Sequence, residues 1–135
     1  MESFAAYSHT IVSLALWSVL IMVLGALSTV GRSAEKRCDC GKPKRDYGDA
    51  VYRRERAFMN AIETSGPFIA ASVAAMLAGA SPFWVNILAS VFVVARLAMA
   101  VVHIRTTNQP MRSAFFGIGF FCVLGLAVIA IFAAI

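Results

Sequence analysis

The chain has 135 residues, of which 60% are apolar and only 14% charged, and its mean hydropathy is +0.78. So little charge excludes an ordinary water-soluble domain, which carries nearly twice that share. The net charge of +5 does not read as nucleic-acid binding, because no recognised fold motif accompanies it. All Lys and Arg residues except Arg96, Arg105 and Arg112 lie between Arg32 and Arg56, beside long apolar runs. That placement reads as a topology signal and a contact with anionic headgroups.

The first apolar run, Ile11 to Val30, is uncharged and long enough to span a hydrocarbon core. It lacks the basic leading segment of a signal peptide, and a basic block follows it, so it reads as a retained helix over about 8–31. Trp17 lies inside it and Tyr7 near its outer end. The segment 31–48, GRSAEKRCDCGKPKRDYG, mixes Gly, Pro and alternating charge and predicts an exposed loop over 32–49. Cys38 and Cys40 within it are too few ligands for structural zinc and read as reduced thiols. Asp49 is a candidate N-cap for a second helix over about 50–80.

That helix opens on a charged shoulder, YRRERAFMN. Its Ala71, Ala75 and Gly79 recur every fourth residue, a pattern that lets another helix approach closely in lipid. Pro67 should kink it or loosen its hydrogen bonding. Ser81-Pro82 makes a tight connection to a third span over about 83–105, interrupted by Arg96 and His103. The loop RTTNQP leads to an uncharged fourth span over about 111–135, with Gly117 and Gly125 nearly on one face. The expected fold is therefore all-α, a single integral-membrane four-helix bundle covering residues 1–135. Loops one and three are basic, whereas loop two and the segments outside the first and last spans hold no Lys or Arg. The positive-inside rule then puts loops 32–49 and 105–111 in the cytoplasm and both termini in periplasm or lumen.

Arg53, Arg56, Asn60, Glu63 and Pro67 are spaced three, four, three and four apart, so they share one helical face. Glu63 lies about 9 Å below the start of its apolar run at 1.5 Å per residue. A carboxylate at that depth costs several kcal/mol unless paired or neutralised. Arg96 lies about 12 Å from the cytoplasmic end of the third span. Equal depth predicts a Glu63–Arg96 ion pair, which would either pin helix packing or belong to a functional site. His103 shares a face with Arg96, and Arg112 and Ser113 open the fourth span. Together with Arg56 and Asn60 they would form a cationic pocket open to the cytosol. Arginine pairs with carboxylates and stabilises thiolates. The plainer alternatives are a headgroup anchor for Arg112 and a packed interfacial residue for His103. A metal site is not expected, since His9 and His103 fall on opposite sides of the membrane.

The run Arg56-Ala57-Phe58-Met59-Asn60-Ala61-Ile62-Glu63, followed by Pro67-Phe68, resembles the MAPEG family, whose pattern there is R-A-x-x-N-x-x-E-x-x-x-P-F. Ala95-Arg96, sixteen residues before Arg112, and the stretch Gln109-Pro110-Met111-Arg112-Ser113 also resemble the family. The resemblance implies a homotrimer with glutathione held between subunits near the cytosolic face. It implies that Arg56, Asn60 and Glu63, with His103 and more weakly Arg32, bind glutathione. Arg112 would favour the thiolate, with Ser113 beside it. The implied activity is transfer of glutathione to apolar electrophiles or reduction of lipid hydroperoxides, without a metal. The alternative is a non-catalytic scaffold or ligand-binding protein in which the polar residues serve trimer packing. Three positions depart from the studied enzymes: His103 replaces a glutathione-contacting tyrosine, Met59 an arginine, and Phe116 a tyrosine.

Overall fold

The computed structural model describes residues 2–135. A short turn, α1 (Glu2–Ala5), precedes four long helices: α2 (Ser8–Thr29), α3 (Ala50–Leu77), α4 (Pro82–Arg105) and α5 (Gln109–Ala134). The apolar runs predicted the helices, and the end chemistry sets their limits. Asp49 caps α3 by accepting from the Val51 N–H at 2.9 Å. Asn108 caps α5 through the Met111 N–H at 3.0 Å, so α5 starts two residues before the expected position. Gly79 ends α3 with φ +69°, and the Gly79 and Ala80 N–H groups close back on Met76 and Ala75. Gly79 therefore terminates the helix; it does not extend the Ala71-Ala75 packing stripe, and both of those alanines are buried.

The four helices pack as a diamond. α3 and α4 form the short diagonal, each touching all the other long helices, while α2 and α5 occupy opposite corners. Trp17 of α2 fills the centre. Its ring meets Phe68 of α3 and Phe92 of α4 edge-on at 6.1 and 5.0 Å, and those two rings stack at 3.9 Å. Its indole N–H donates to Ser65 Oγ at 3.1 Å, which satisfies the buried polar edge. α3 runs unbroken through Pro67. At the far end, Asn86 of α4 accepts from the Thr10 N–H at 3.0 Å and hydroxyl at 2.8 Å, and donates to the Ala6 carbonyl at 2.8 Å. This closes the exposed N-terminus of α2. His9 lies at that same end, lining surface clefts remote from His103.

α2, α4 and α5 are each long and apolar enough to cross a membrane. α3 has 28 residues but carries Arg53 to Arg56, Asn60 and Glu63, which dilute its apolar character. The chain is an integral membrane protein built as an all-α four-helix bundle.

The first loop differs from expectation in one respect. Cys38 and Cys40 are joined by a disulfide, so they are not two free thiols. Backbone pairing between Arg37 and Pro43 brings this tight turn together.

Candidate functional site

Arg96 shows how the bundle treats a cation at depth. It is buried, and it does not pair with Glu63. Its Nη2 donates to the Asn60 carbonyl at 2.6 Å and to Thr64 Oγ1 at 3.0 Å, and Nη1 meets Met99 Sδ at 3.1 Å. Equal depth was the right observation, but the two side chains leave their helices in different directions. Glu63 is exposed on the outer face of α3. Among the described residues the ion pairs are Arg32–Glu55 and Lys36–Asp49. Gly119 makes the placement of Arg96 feasible, since a Cβ there would lie 3.0 Å from Arg96 Cδ. Gly117, one of the two glycines expected to pack closely, faces open space, whereas Gly125 does pack, against Leu88.

Arg32 and two of the shoulder arginines are also committed locally. Arg32 pairs with Glu55 and donates from Nε to the Ser28 carbonyl at 2.7 Å, tying α2 to α3. Arg54 reaches the Val30 carbonyl at 2.7 Å. Arg53 donates to Ile104 O at 3.1 Å, Tyr47 O at 2.7 Å and Gly48 O at 2.8 Å, lashing the loop to the end of α4.

Within that framework the loop lays Tyr47 over the ends of α4 and α5. The Tyr47 ring stacks on His103 at 6.2 Å and 18°, and the Arg112 guanidinium sits 4.6 Å over its centre. His103 is 3% exposed and Arg112 9%. Neither ring nitrogen of His103 has a hydrogen-bond partner, and neither does Arg112 Nη1. Arg112 therefore turns inward; it is not extended as a headgroup anchor. These groups line a cleft of about 200 Å³ with Asn60, Met99, Gln109, Ser113 and Phe116. Buried polar groups normally find partners, yet these three nitrogens, on two residues that line one cleft, have none within the protomer.

A second cavity of about 260 Å³ lies deeper along α5. It is lined by Thr64, Pro67, Phe92, Phe116, Gly119 and Phe120 among others, and it is almost entirely apolar. Phe116 is common to both walls, and the Arg96 guanidinium lies 5.5 Å above its ring.

The family model of the MAPEG family matches residues 10–132. The chain belongs to the MAPEG family. No curated protein matches it. Of the residues expected to carry MAPEG chemistry, the protomer gathers Asn60, His103, Arg112 and Ser113 around one cleft. Arg32, Arg56 and Glu63 do not line it. Arg56 contributes its charge to the surroundings of His103, together with Arg53, Arg96 and Arg112. Two residues escaped the sequence reading. Glu55, an acid 8% exposed, neutralises Arg32. Tyr47 forms the lid of the cleft, and the available signal was that it is the one aromatic residue in the segment 31–49.

Proposed function

We propose that this MAPEG chain is a membrane enzyme that holds glutathione, or a similar anionic thiol, in the Tyr47–His103–Arg112 cleft and delivers its thiolate to an apolar acceptor. The observation that carries this reading is that His103 and Arg112, whose buried Nδ1, Nε2 and Nη1 have no partner in the protomer, line one cleft together with Ser113. Guanidinium and hydroxyl groups suit carboxylates and a developing thiolate. The adjoining apolar cavity, which shares Phe116, suits the acceptor, an electrophile or a lipid hydroperoxide. In conjugation, the thiol proton leaves to water, Arg112 stabilises the sulfur anion, and a C–S bond forms on the acceptor carbon as the bond to its leaving group breaks and that group departs with the electron pair. Lowering the thiol pKa by two units requires about 2.7 kcal/mol, which one or two well-placed cations can supply.

The same reading makes the protein a homotrimer. A cleft of about 200 Å³ is smaller than the roughly 300–1,000 Å³ of most small-molecule sites, so a neighbouring subunit would complete it. An exposed Glu63 on a membrane helix also calls for cover. The neighbour would bring Arg56 and Glu63 of α3 to the ligand. α3 would be the fourth span, with loops 32–49 and 105–111 in the cytoplasm and both termini outside, as the basic residues direct.

The test is glutathione-dependent conjugation of a generic electrophile by protein purified in detergent, together with the thermal shift at millimolar glutathione. Activity should fall at least about tenfold in Arg112→Ala, the equivalent of about 1.4 kcal/mol. Absence of both binding and a thermal shift sinks the proposal.

A second reading, a non-catalytic scaffold, is favoured by Arg32, Arg53, Arg54 and Arg96 all being spent on internal bonds. It predicts that Arg96→Met disrupts assembly while Arg112→Ala changes neither assembly nor thiol binding.

A further inference from the structure

The first loop holds chemistry that the cleft does not use. The Cys38–Cys40 disulfide has one intervening residue, and its Cα atoms lie 5.2 Å apart. The Cys38 N–H donates to the Lys42 carbonyl at 2.9 Å, and the Gly41 N–H to the Cys38 carbonyl at 2.9 Å. Gly41 adopts φ +79° to make this turn. Cys40 is exposed and Cys38 half-buried. Lys36, Arg37, Lys42, Lys44 and Arg45 outnumber Glu35, Asp39 and Asp46 in the surrounding segment.

A structural staple is a poor account of this bond. The entropy that a cross-link removes grows with the logarithm of the loop it closes, and this loop is nearly the shortest available. The elements around it are already joined by Arg32–Glu55, by Arg54 to Val30, and by Arg53 to Ile104. What the bond does have is access and a positive field. Nearby cations stabilise thiolates, both attacking and leaving, and raise exchange rates.

We infer that Cys38-Asp39-Cys40 is a thiol–disulfide exchange site, taking small anionic thiols and their disulfides as substrates. A substrate thiolate attacks the exposed Cys40 sulfur. The Cys40–Cys38 bond breaks, a mixed disulfide forms on Cys40, and Cys38 leaves as the thiolate. A second substrate thiolate attacks the substrate sulfur of the mixed disulfide and releases Cys40. Two substrate thiols thus become one disulfide, and their two protons and two electrons reside on the cysteine pair. The reverse sequence reduces a substrate disulfide.

The test uses the full chain in detergent, equilibrated with defined ratios of reduced to oxidised glutathione, quenched with acid, alkylated and mapped by mass spectrometry. The 38–40 pair should pass reversibly between disulfide and dithiol as the ratio changes, while buried Cys122 stays unmodified. Cys38→Ser should accumulate a mixed disulfide on Cys40, for lack of a resolving partner. Lys42→Glu with Lys44→Glu should slow exchange about tenfold, the effect of one pKa unit on thiolate fraction. A disulfide that survives millimolar thiol, free thiols that ignore excess oxidised glutathione, or an unchanged rate in the charge-reversed protein each overturns the inference. The inference does not rest on the cleft. Cys38→Ser with Cys40→Ser should abolish exchange and leave conjugation of an electrophile intact, so the two proposals fail separately.

Discussion

Removing Arg32 should harm the fold more than neutralising its partner. Arg32→Met leaves the Glu55 carboxylate without its cation in a setting where it is 8% exposed. Breaking a buried pair from one side costs about 3–5 kcal/mol, and the Arg32 side chain's 26% exposure argues for the low end, about 3 kcal/mol. Glu55→Gln is milder. Arg32 keeps its bond to the Ser28 carbonyl and remains partly solvated, and the amide can still accept, so the loss is about 1–1.5 kcal/mol. The double variant, Arg32→Met with Glu55→Gln, should recover part of the larger loss, because no uncompensated charge is left. Denaturation in mixed micelles, followed by far-ultraviolet circular dichroism, measures all four proteins on one cycle. An Arg32→Met variant no less stable than Glu55→Gln, or an additive double variant, would show that no buried charge is left uncompensated at Glu55.

Gly119→Ala should destabilise by about 1–3 kcal/mol in the same assay, because its Cβ would meet Arg96 Cδ at 3.0 Å, while Gly117→Ala into open space should be neutral or slightly stabilising. Tyr47→Ala should cost about 1–2 kcal/mol through loss of the His103 stack and the Arg112 contact, and Tyr47→Phe, which keeps the ring, should stay within about 0.5 kcal/mol of the parent in the same denaturation. The Asp49 carboxylate is held below its ordinary range, first by the Val51 N–H and then by Lys36. Its folded pKa lies below the unfolded one, so its stabilisation is complete above the ordinary carboxylate pKa and disappears as pH falls through the lowered folded value. Hydrogen exchange at the start of α3 should accelerate with acid over that window in the parent, beyond the intrinsic pH dependence, and show no such step in Asp49→Asn.

Apolar runs of about twenty residues declared three helices, one of them interrupted by Arg96, and the N-cap at Asp49 declared the fourth despite its charged shoulder. Helix ends were less legible, because Gly79 fits both a packing stripe and a C-terminal turn; only the backbone distinguishes them. The Glu63–Arg96 pairing failed for a geometric reason. Residue count gives depth along an axis, but not how neighbouring helices are rotated about theirs. Arg96 meets Asn60 and Thr64, one turn apart, while Glu63 points outward. Of the cleft, Asn60 was legible from helical periodicity and the family pattern together, His103 from the face it shares with Arg96, and Arg112 and Ser113 from the family pattern and their place at the start of the fourth span. Tyr47 was not, since a loop has no periodicity to reveal what it covers. The disulfide was equally hidden, because two cysteines one residue apart are compatible with either redox state.

The diamond arrangement bears on how the protein is made. α2, α3 and α4 touch one another pairwise, so a three-helix core can close as soon as α4 has emerged from the ribosome. α5 is synthesised last and shares no substantial contact with α2; it docks onto a groove that α3 and α4 have already formed. Arg112, Ser113 and Phe116 all arrive with it. The cleft and its apolar neighbour are therefore absent from the nascent protein until the final helix inserts, and a premature stop before Arg112 would leave a membrane-embedded core with neither.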